Sequence, residues 1–442
     1  MNPACKPRVS SAGLVLLLVF AAAMMSPGVP LAQNSATQGQ VTFANDIAPI
    51  LQRSCQNCHR PGSIAPMPLL TYEQVRPWAR AIKQKVVVRE MPPWYIDRHV
   101  GIRKFKGDPS LTDAEIAKIV NWVDGGAPLG NPANLPPPRQ FTDLDQWHIG
   151  KPDVVLTMPR EHLVKAQGPD ESFDIEVDLP FAEDVYVQAV ETKPANPQSF
   201  RVIHHATTNL IEDEDDPIGL FFNEYALGKN GDIFPENTGR LIKAGSKLHF
   251  NLHLHSIGEE ISASVHIALK LYPKSVAPKY VLFTQHMGDN NELDIPAGQV
   301  SRHDGYFRLP RPAVITAFQP HMHNRGKAMC MAAIFPDVRP DSARPGPART
   351  DTLSCVSNYL FGWHITYPYV DDVAPLLPAG TVIHVTGWHD NSTANRWNPN
   401  SRNWVGSGSR TIDEMSFAWV SLYYLDEADY QQRLAAKNRT SN

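Results

Sequence analysis

The chain has 442 residues, 42% of them hydrophobic and 19% charged, with a formal net charge of −4. This is ordinary soluble globular composition, long enough for about two to three domains. The mildly acidic balance gives no general attraction for nucleic acid or anionic lipid, so neither is an expected partner.

The first segment reads as an export signal. Lys6 and Arg8 form a positive start, LVLLLVFAAAMM over residues 14–25 is apolar, and Ala32 offers a small residue for cleavage, although Pro30 spoils a clean A-x-A. A membrane anchor is the competing reading, but twelve apolar residues fall short of the roughly 20 that a spanning helix needs. No other segment is apolar for long enough. A signal peptide over residues 1–32, no membrane span after cleavage, and a periplasmic or secreted location are therefore expected.

Residues 43–127 read as helical. Ile47, Ile50 and Leu51 make one apolar face, and residues 72–88 make a second helical candidate. The third is the clearest. Thr112 and Glu115 form a capping box, Ile116, Ile119, Val120 and Val123 follow at i, i+3, i+4 and i+7, and Gly125 and Gly126 stop the run. The sequence PLGNPANLPPPRQ over 128–140 suits an extended spacer. From about residue 149 the pattern changes to short alternating runs: DVVLTMP, FDIEVDLP, DVYVQAVE, ASVHIALKLYP and TVIHVTGWHD. Pro, Gly and Asn turns separate them, which predicts antiparallel sandwiches. About 280 residues is large for one sandwich, so two are expected. The domain plan is a small all-α domain over 40–128, a linker over 129–146, and all-β sandwiches over 147–280 and 281–430.

Four of the five cysteines remain once Cys5 leaves with the signal. Cys55, Cys58 and His59 form CQNCH, the pattern of covalent c-type haem attachment. Two thiols one helical turn apart make the thioethers, and the adjacent imidazole faces the iron. A CxxC redox or zinc pair is the competing reading. Met91 in REMPPW, on a loop between the second and third helices, is the expected sixth ligand, and Met67 in IAPMPLL is the alternative. This segment resembles the small single-haem cytochromes c. Cys330 and Cys355 are an even pair in an oxidising compartment, so a disulfide is expected.

The second half holds His204–His205, His253–His255 and His321–His323, with Met415 in TIDEMSF. In a strand, residues i and i+2 share a face, so an HxH pair can grip one metal. The adjacent His204–His205 point apart on a regular strand and need a bulge or a strand end to share an ion. Neutral imidazoles suit copper, zinc, iron or nickel, and a thioether shifts the preference toward Cu(I).

Seven segments occur in order over residues 147 to 425: WHIGKPDVVLTMP, AVETKPANPQSFRVIHHA, LHFNLHLHSIG, QPHMHNRGKAM, LPAGTVIHV, HDNSTANRWNPN and SRTIDEM. Together they resemble the copper type II, ascorbate-dependent monooxygenases. That family includes peptidylglycine α-hydroxylating monooxygenase and dopamine β-monooxygenase. The likeness is to bacterial members with an N-terminal cytochrome domain, and the MPPW run resembles those fusions as well. The resemblance implies two jelly-roll-like sandwiches and two separate coppers. His204, His205 and His253 match the electron-storing copper, with His255 on the same face as an alternative to His253. His321, His323 and Met415 match the oxygen-binding copper and carry the catalytic role. Leu254 stands where the family usually has an aromatic. The implied activity is hydroxylation of a C–H bond in an organic substrate by O2. Electrons come from the haem, fed by a periplasmic donor or an ascorbate-like reductant. The alternative function is a non-catalytic haem and copper electron-transfer or copper-binding module.

Overall fold

The computed structural model describes residues 39–440, apart from 62, 64, 66, 142–146, 214, 216–218, 227, 228, 230, 289–291 and 337–348. The expected export segment, with Cys5, lies outside the described residues, as do residues 142–146 of the expected linker. Among the described residues no helix is long and apolar enough to cross a membrane.

The helical start follows from local signals. Thr42 caps the π-helical turn Phe43–Ile47, which runs into Ala48–Ser54. Ile47, Ile50 and Leu51 are buried, as their spacing predicts. The second stretch is helical from Tyr72 to Val87, but Pro77 lacks an N–H and breaks it with a 3-10 turn at Arg76–Trp78. The third is Asp113–Asp124, with the Thr112–Glu115 capping box formed and Gly125 at its end. Ile119 and Trp122, three residues apart, are its fully buried pair, and Trp122 packs on Phe43. One apolar cluster joins these helices.

The rest is mostly β, in separate sheets. One ten-stranded sheet runs in the order Val154–Thr157, Val265–Leu271, Val185–Pro194, Thr238–Ile242, Tyr280–Gly288, Ser416–Tyr424, Ala313–Met322, Tyr367–Pro368, with two short strands off this path. Its two halves join where Tyr280 and Val281 pair in parallel with Thr238 and Gly239. A Cβ at Gly239 would lie 3.0 Å from Pro278, Tyr272 and the Val187 carbonyl, so the joint needs a residue without a side chain. A four-stranded sheet packs on each half. The first is Glu171–Asp178, Lys247–Leu254, Ile203–Ile211, Leu220–Ala226, and its core contains Val187, Val190, Phe250, Leu252 and Ile267. The second is Val300–Arg308, Val382–Asp390, Gly326–Ile334, Thr350–Val356, and its core contains Phe318, Met329, Ile383, Val385 and Leu422. Each such buried side chain contributes about 1.5–3 kcal/mol.

The segment after the MPPW run does not stay with the helices. Tyr95, Ile96 and Phe105 lie in the core of the second half. Ile96 bridges Val356, Phe105 bridges Tyr369, and the Asp97 N–H donates to the Cys355 carbonyl at 2.7 Å. This docking strip runs against the strand that carries one end of the disulfide.

Cys330 and Cys355 are bonded, as expected, and face each other in register across Gly326–Ile334 and Thr350–Val356. A cross-link closing a loop of 25 residues restricts the unfolded chain. Replacing both cysteines by Ala should therefore lower stability by about 3 kcal/mol in the chain-entropy model, read by denaturant unfolding. An unchanged midpoint would contradict that role.

Candidate functional site

The haem motif sits where the helix Ala48–Ser54 ends. The Cys55 N–H donates to the Leu51 carbonyl, and the His59 N–H donates to the Cys55 carbonyl at 3.0 Å. One turn therefore presents Cys55, Cys58 and His59 at i, i+3 and i+4, on one side. His59 Nδ1 lies 3.0 Å from the Met67 carbonyl. A carbonyl only accepts, so Nδ1 carries the proton and the Nε2 lone pair is left for a metal. Met67 thus meets His59 through its backbone, while its side chain packs in the helical core. Burial pushes the Cys55 thiol up to about 12, with Cys58 adding to the shift and Arg53 opposing it. Burial raises Cys58 too. Thiols held protonated in this way are poor nucleophiles, unlike those of CxxC redox pairs. The donor set fits covalent haem with His59 as axial ligand. Met91 is half-buried on the loop between the helices.

Tyr225 is held above its ordinary value, by burial first and then by the Cys58 thiol. Tyr225 is on Leu220–Ala226, where the next residue, Ala226, pairs with His205.

The histidines converge. Lys247–Leu254 alternates: Leu248, Phe250, Leu252 and Leu254 point into the core, and His249, Asn251 and His253 point away from it. His205 pairs directly with His253, and the register shifts between Ile203 and His205. His204 is therefore the extra residue of a bulge, the distortion that adjacent histidines need in order to face one ion. Their Nδ1 atoms lie 3.3 Å apart. The His253 ring is 4.9 Å from His205 and 5.6 Å from His204, but its Nε2 is engaged by Asp170 at 3.2 Å. The His255 ring is farther, 6.4 Å from His204.

His321 ends the strand Ala313–Met322 and stacks on Phe417 at 4.7 Å. His323 follows, its ring 5.5 Å from His321, with Nδ1–H donating to the Asp413 carbonyl at 3.0 Å. Glu414 fastens this turn from below: one carboxylate oxygen accepts from the His323 N–H at 2.9 Å and the other from the Arg325 N–H at 2.7 Å. Burial pushes Glu414 up to about 7. Met322 pairs with Ser416, the residue after Met415. The Met415 carbonyl accepts from His389 Nε2.

His364, left without a role on sequence grounds, stands between the two groups. Its ring is 5.0 Å from His205 and 5.0 Å from His321. Ligand atoms of His204, His205 and His364 all lie within 4.8 Å of one another. Phe361 packs against His204, His323 and His364. Burial, reinforced by the crowding of His364, pulls His204 down to about 3, holds His205 and His321 well below the usual range, and lowers His323 to about 4. These rings are neutral at neutral pH, the state in which imidazole binds a metal. The donor set fits copper, and nitrogen-rich sites favour copper over zinc on intrinsic affinity.

Behind Asp413 a cavity of about 650 Å³ is lined by Arg325, Trp404, Gly406, Arg410 and Ile412 among others. Asp413 therefore touches His323 with its backbone and borders this space with its side chain.

No family model matches the chain, and no curated protein does. Solved structures with some likeness include the major capsid protein P2 from Bacteriophage PM2, at 10% identity over 61% of this chain and 97% of that one, TM-score 0.27. The infectious bursal disease virus VP2 subviral particle is 11% identical over 62% of this chain and 73% of its own, TM-score 0.19. PBSX exported protein XepA is 10% identical over 57% and 99%, TM-score 0.17. At these scores the likenesses carry no argument.

Proposed function

We propose that this chain is an exported, copper-dependent monooxygenase with a fused c-type haem. In this reading a small all-α cytochrome c-like domain precedes two jelly-roll-like sandwiches. The observation that carries the proposal is the meeting of two histidine groups, far apart in sequence, as neutral rings in one place, His323 and His364 buried and His204, His205 and His321 half-buried. Three neighbouring elements, the His204 bulge, the His321–His323 strand end and the Glu414–Met415 turn, serve no evident packing need that apolar residues would not meet better.

Cys55, Cys58, His59 and Met91 would hold the haem. His204 and His205 would hold one copper, with His253 as the third ligand that the resemblance implies, and His321, His323 and Met415 would hold the other. When bound, these groups supply two-electron reduction of O2, one atom entering a substrate C–H bond and the other leaving as water. The chain's own residues then do the positioning. Asp413 fixes the tautomer of His323 through its carbonyl. Glu414, the residue before Met415, ties down the backbone of the His323 turn. Phe361 and Phe417 pack apolar rings against His323 and His321. The cavity beside Asp413 is the proposed room for the organic substrate. The fusion of a one-electron carrier to the histidine-bearing domain supports a haem that feeds the His204–His205 group, reduced in turn by a periplasmic donor or an ascorbate-like reductant.

The test is isotopic. The copper-loaded protein, given reductant, a panel of candidate substrates and labelled O2, should place one labelled atom in a hydroxylated product. If the haem is oxidised but no label enters any product, the non-catalytic electron-transfer module is the better reading.

A further inference from the structure

The geometry points to His364 as a ligand of the metal ion held by His204 and His205, with Glu224 as the carboxylate behind it. The ligand assignment stands on side-chain geometry. The identity of the ion as copper rests on the proposed function.

His364 is 2% exposed, and neither of its ring nitrogens has a hydrogen-bond partner. A buried imidazole in that state is costly, and native structures resolve such groups with a partner, a water or an ion. Nδ1 lies 3.6 Å from Glu224 Oε1, just beyond hydrogen-bond length. The ring as a whole is within the mutual reach of His204 and His205. Nδ1–H on the carboxylate and Nε2 on an ion would satisfy both nitrogens at once. This is the carboxylate–histidine–metal arrangement that fixes a ligand's tautomer and raises its basicity.

Glu224 needs the same explanation from its own side. It is 3% exposed, and among the described residues His364 is the only basic group within ion-pair distance of its carboxylate. Gln319 Nε2 donates to its other oxygen at 2.5 Å, and Thr366 holds Gln319 at 2.5 Å. A carboxylate buried so deeply is stabilised by a nearby cation, and an ion on three neutral imidazoles supplies one. The network also spans the two halves. Glu224 comes from the first, while Gln319 lies two residues before His321, on the same face of its strand. His253, by contrast, is already turned to Asp170.

The test uses the full haem-containing chain, stripped of metal and reloaded with Cu(II). Copper per chain is counted, and nitrogen hyperfine structure is read by electron paramagnetic resonance. His364→Gly should lose one copper of two and retain its haem and circular dichroism. Added imidazole should restore the copper, a rescue that a purely structural role would not give. Glu224→Gln should keep the stoichiometry and weaken that copper on the order of 10- to 100-fold. If His364→Gly binds two coppers with an unchanged spectrum, the inference is overturned and the proposed function stands. If the wild-type chain binds no copper, both fall.

Discussion

Changing Cys55 and Cys58 together to Ala is expected to remove all covalently bound haem. In the native chain a haem stain should survive denaturing electrophoresis, because thioether bonds are covalent. In the double variant the stain should vanish. The fold gives reason to expect an intact protein. The bonds that shape this turn are made by backbone groups: Cys55 N–H to Leu51, Cys58 N–H and His59 N–H to the Cys55 carbonyl. Alanine preserves them all. The copper content of the variant should be unchanged. A stain that persists would end the haem assignment. Met91→Ala should keep the stain and alter the spectrum of the reduced haem. If Met67→Ala does so instead, the axial ligand has been assigned to the wrong methionine, although the visible role of Met67 is its carbonyl on His59.

The second large effect concerns His321 and His323. Either one changed to Ala should remove about one copper per chain. Hydroxylation should fall on the order of 10³-fold, the scale on which essential catalytic groups act. The haem should remain. Met415→Leu should do the same with less disturbance, since the two side chains have similar volume. The reason is geometric. His321 is fixed by its stack on Phe417, and His323 by Asp413 and Glu414. Copper content and activity measured on the same samples check this. Full activity with one copper missing would place the chemistry elsewhere.

Local signals in the sequence were a reliable guide to local structure. The Thr112–Glu115 box, the stop at Gly125 and the alternation of residues 173–178 depend on neighbours a few residues away, and the structure shows each. An ion shared by His204 and His205 would require a bulge, since two adjacent residues of a regular strand point apart, and the strand has one there. His364 was not legible. It sits between Trp363 and Ile365 with no second histidine at i+2, and its meaning arises only when its loop folds onto a bulge from the other half. Glu224 and Glu414 were hidden for the same reason: a buried carboxylate looks like a surface one until its partners are known. The packing of Tyr95, Ile96 and Phe105 in the second half is a tertiary event that no periodicity encodes.

The central claim is that electrons pass within one chain from the haem to the histidine-bound metal. Anaerobic mixing tests it most directly. Protein with reduced haem and Cu(II) in both histidine groups is prepared, and haem oxidation is followed by absorbance over a range of protein concentrations. A donor tethered in the same chain acts at an effective concentration of roughly millimolar, so the rate should not depend on protein concentration. His204→Ala should slow the step more than Met415→Leu does, because the His204–His205 group is the proposed point of electron entry. A rate that rises in proportion to protein concentration, or haem that stays reduced for minutes beside loaded Cu(II) sites, would contradict the account.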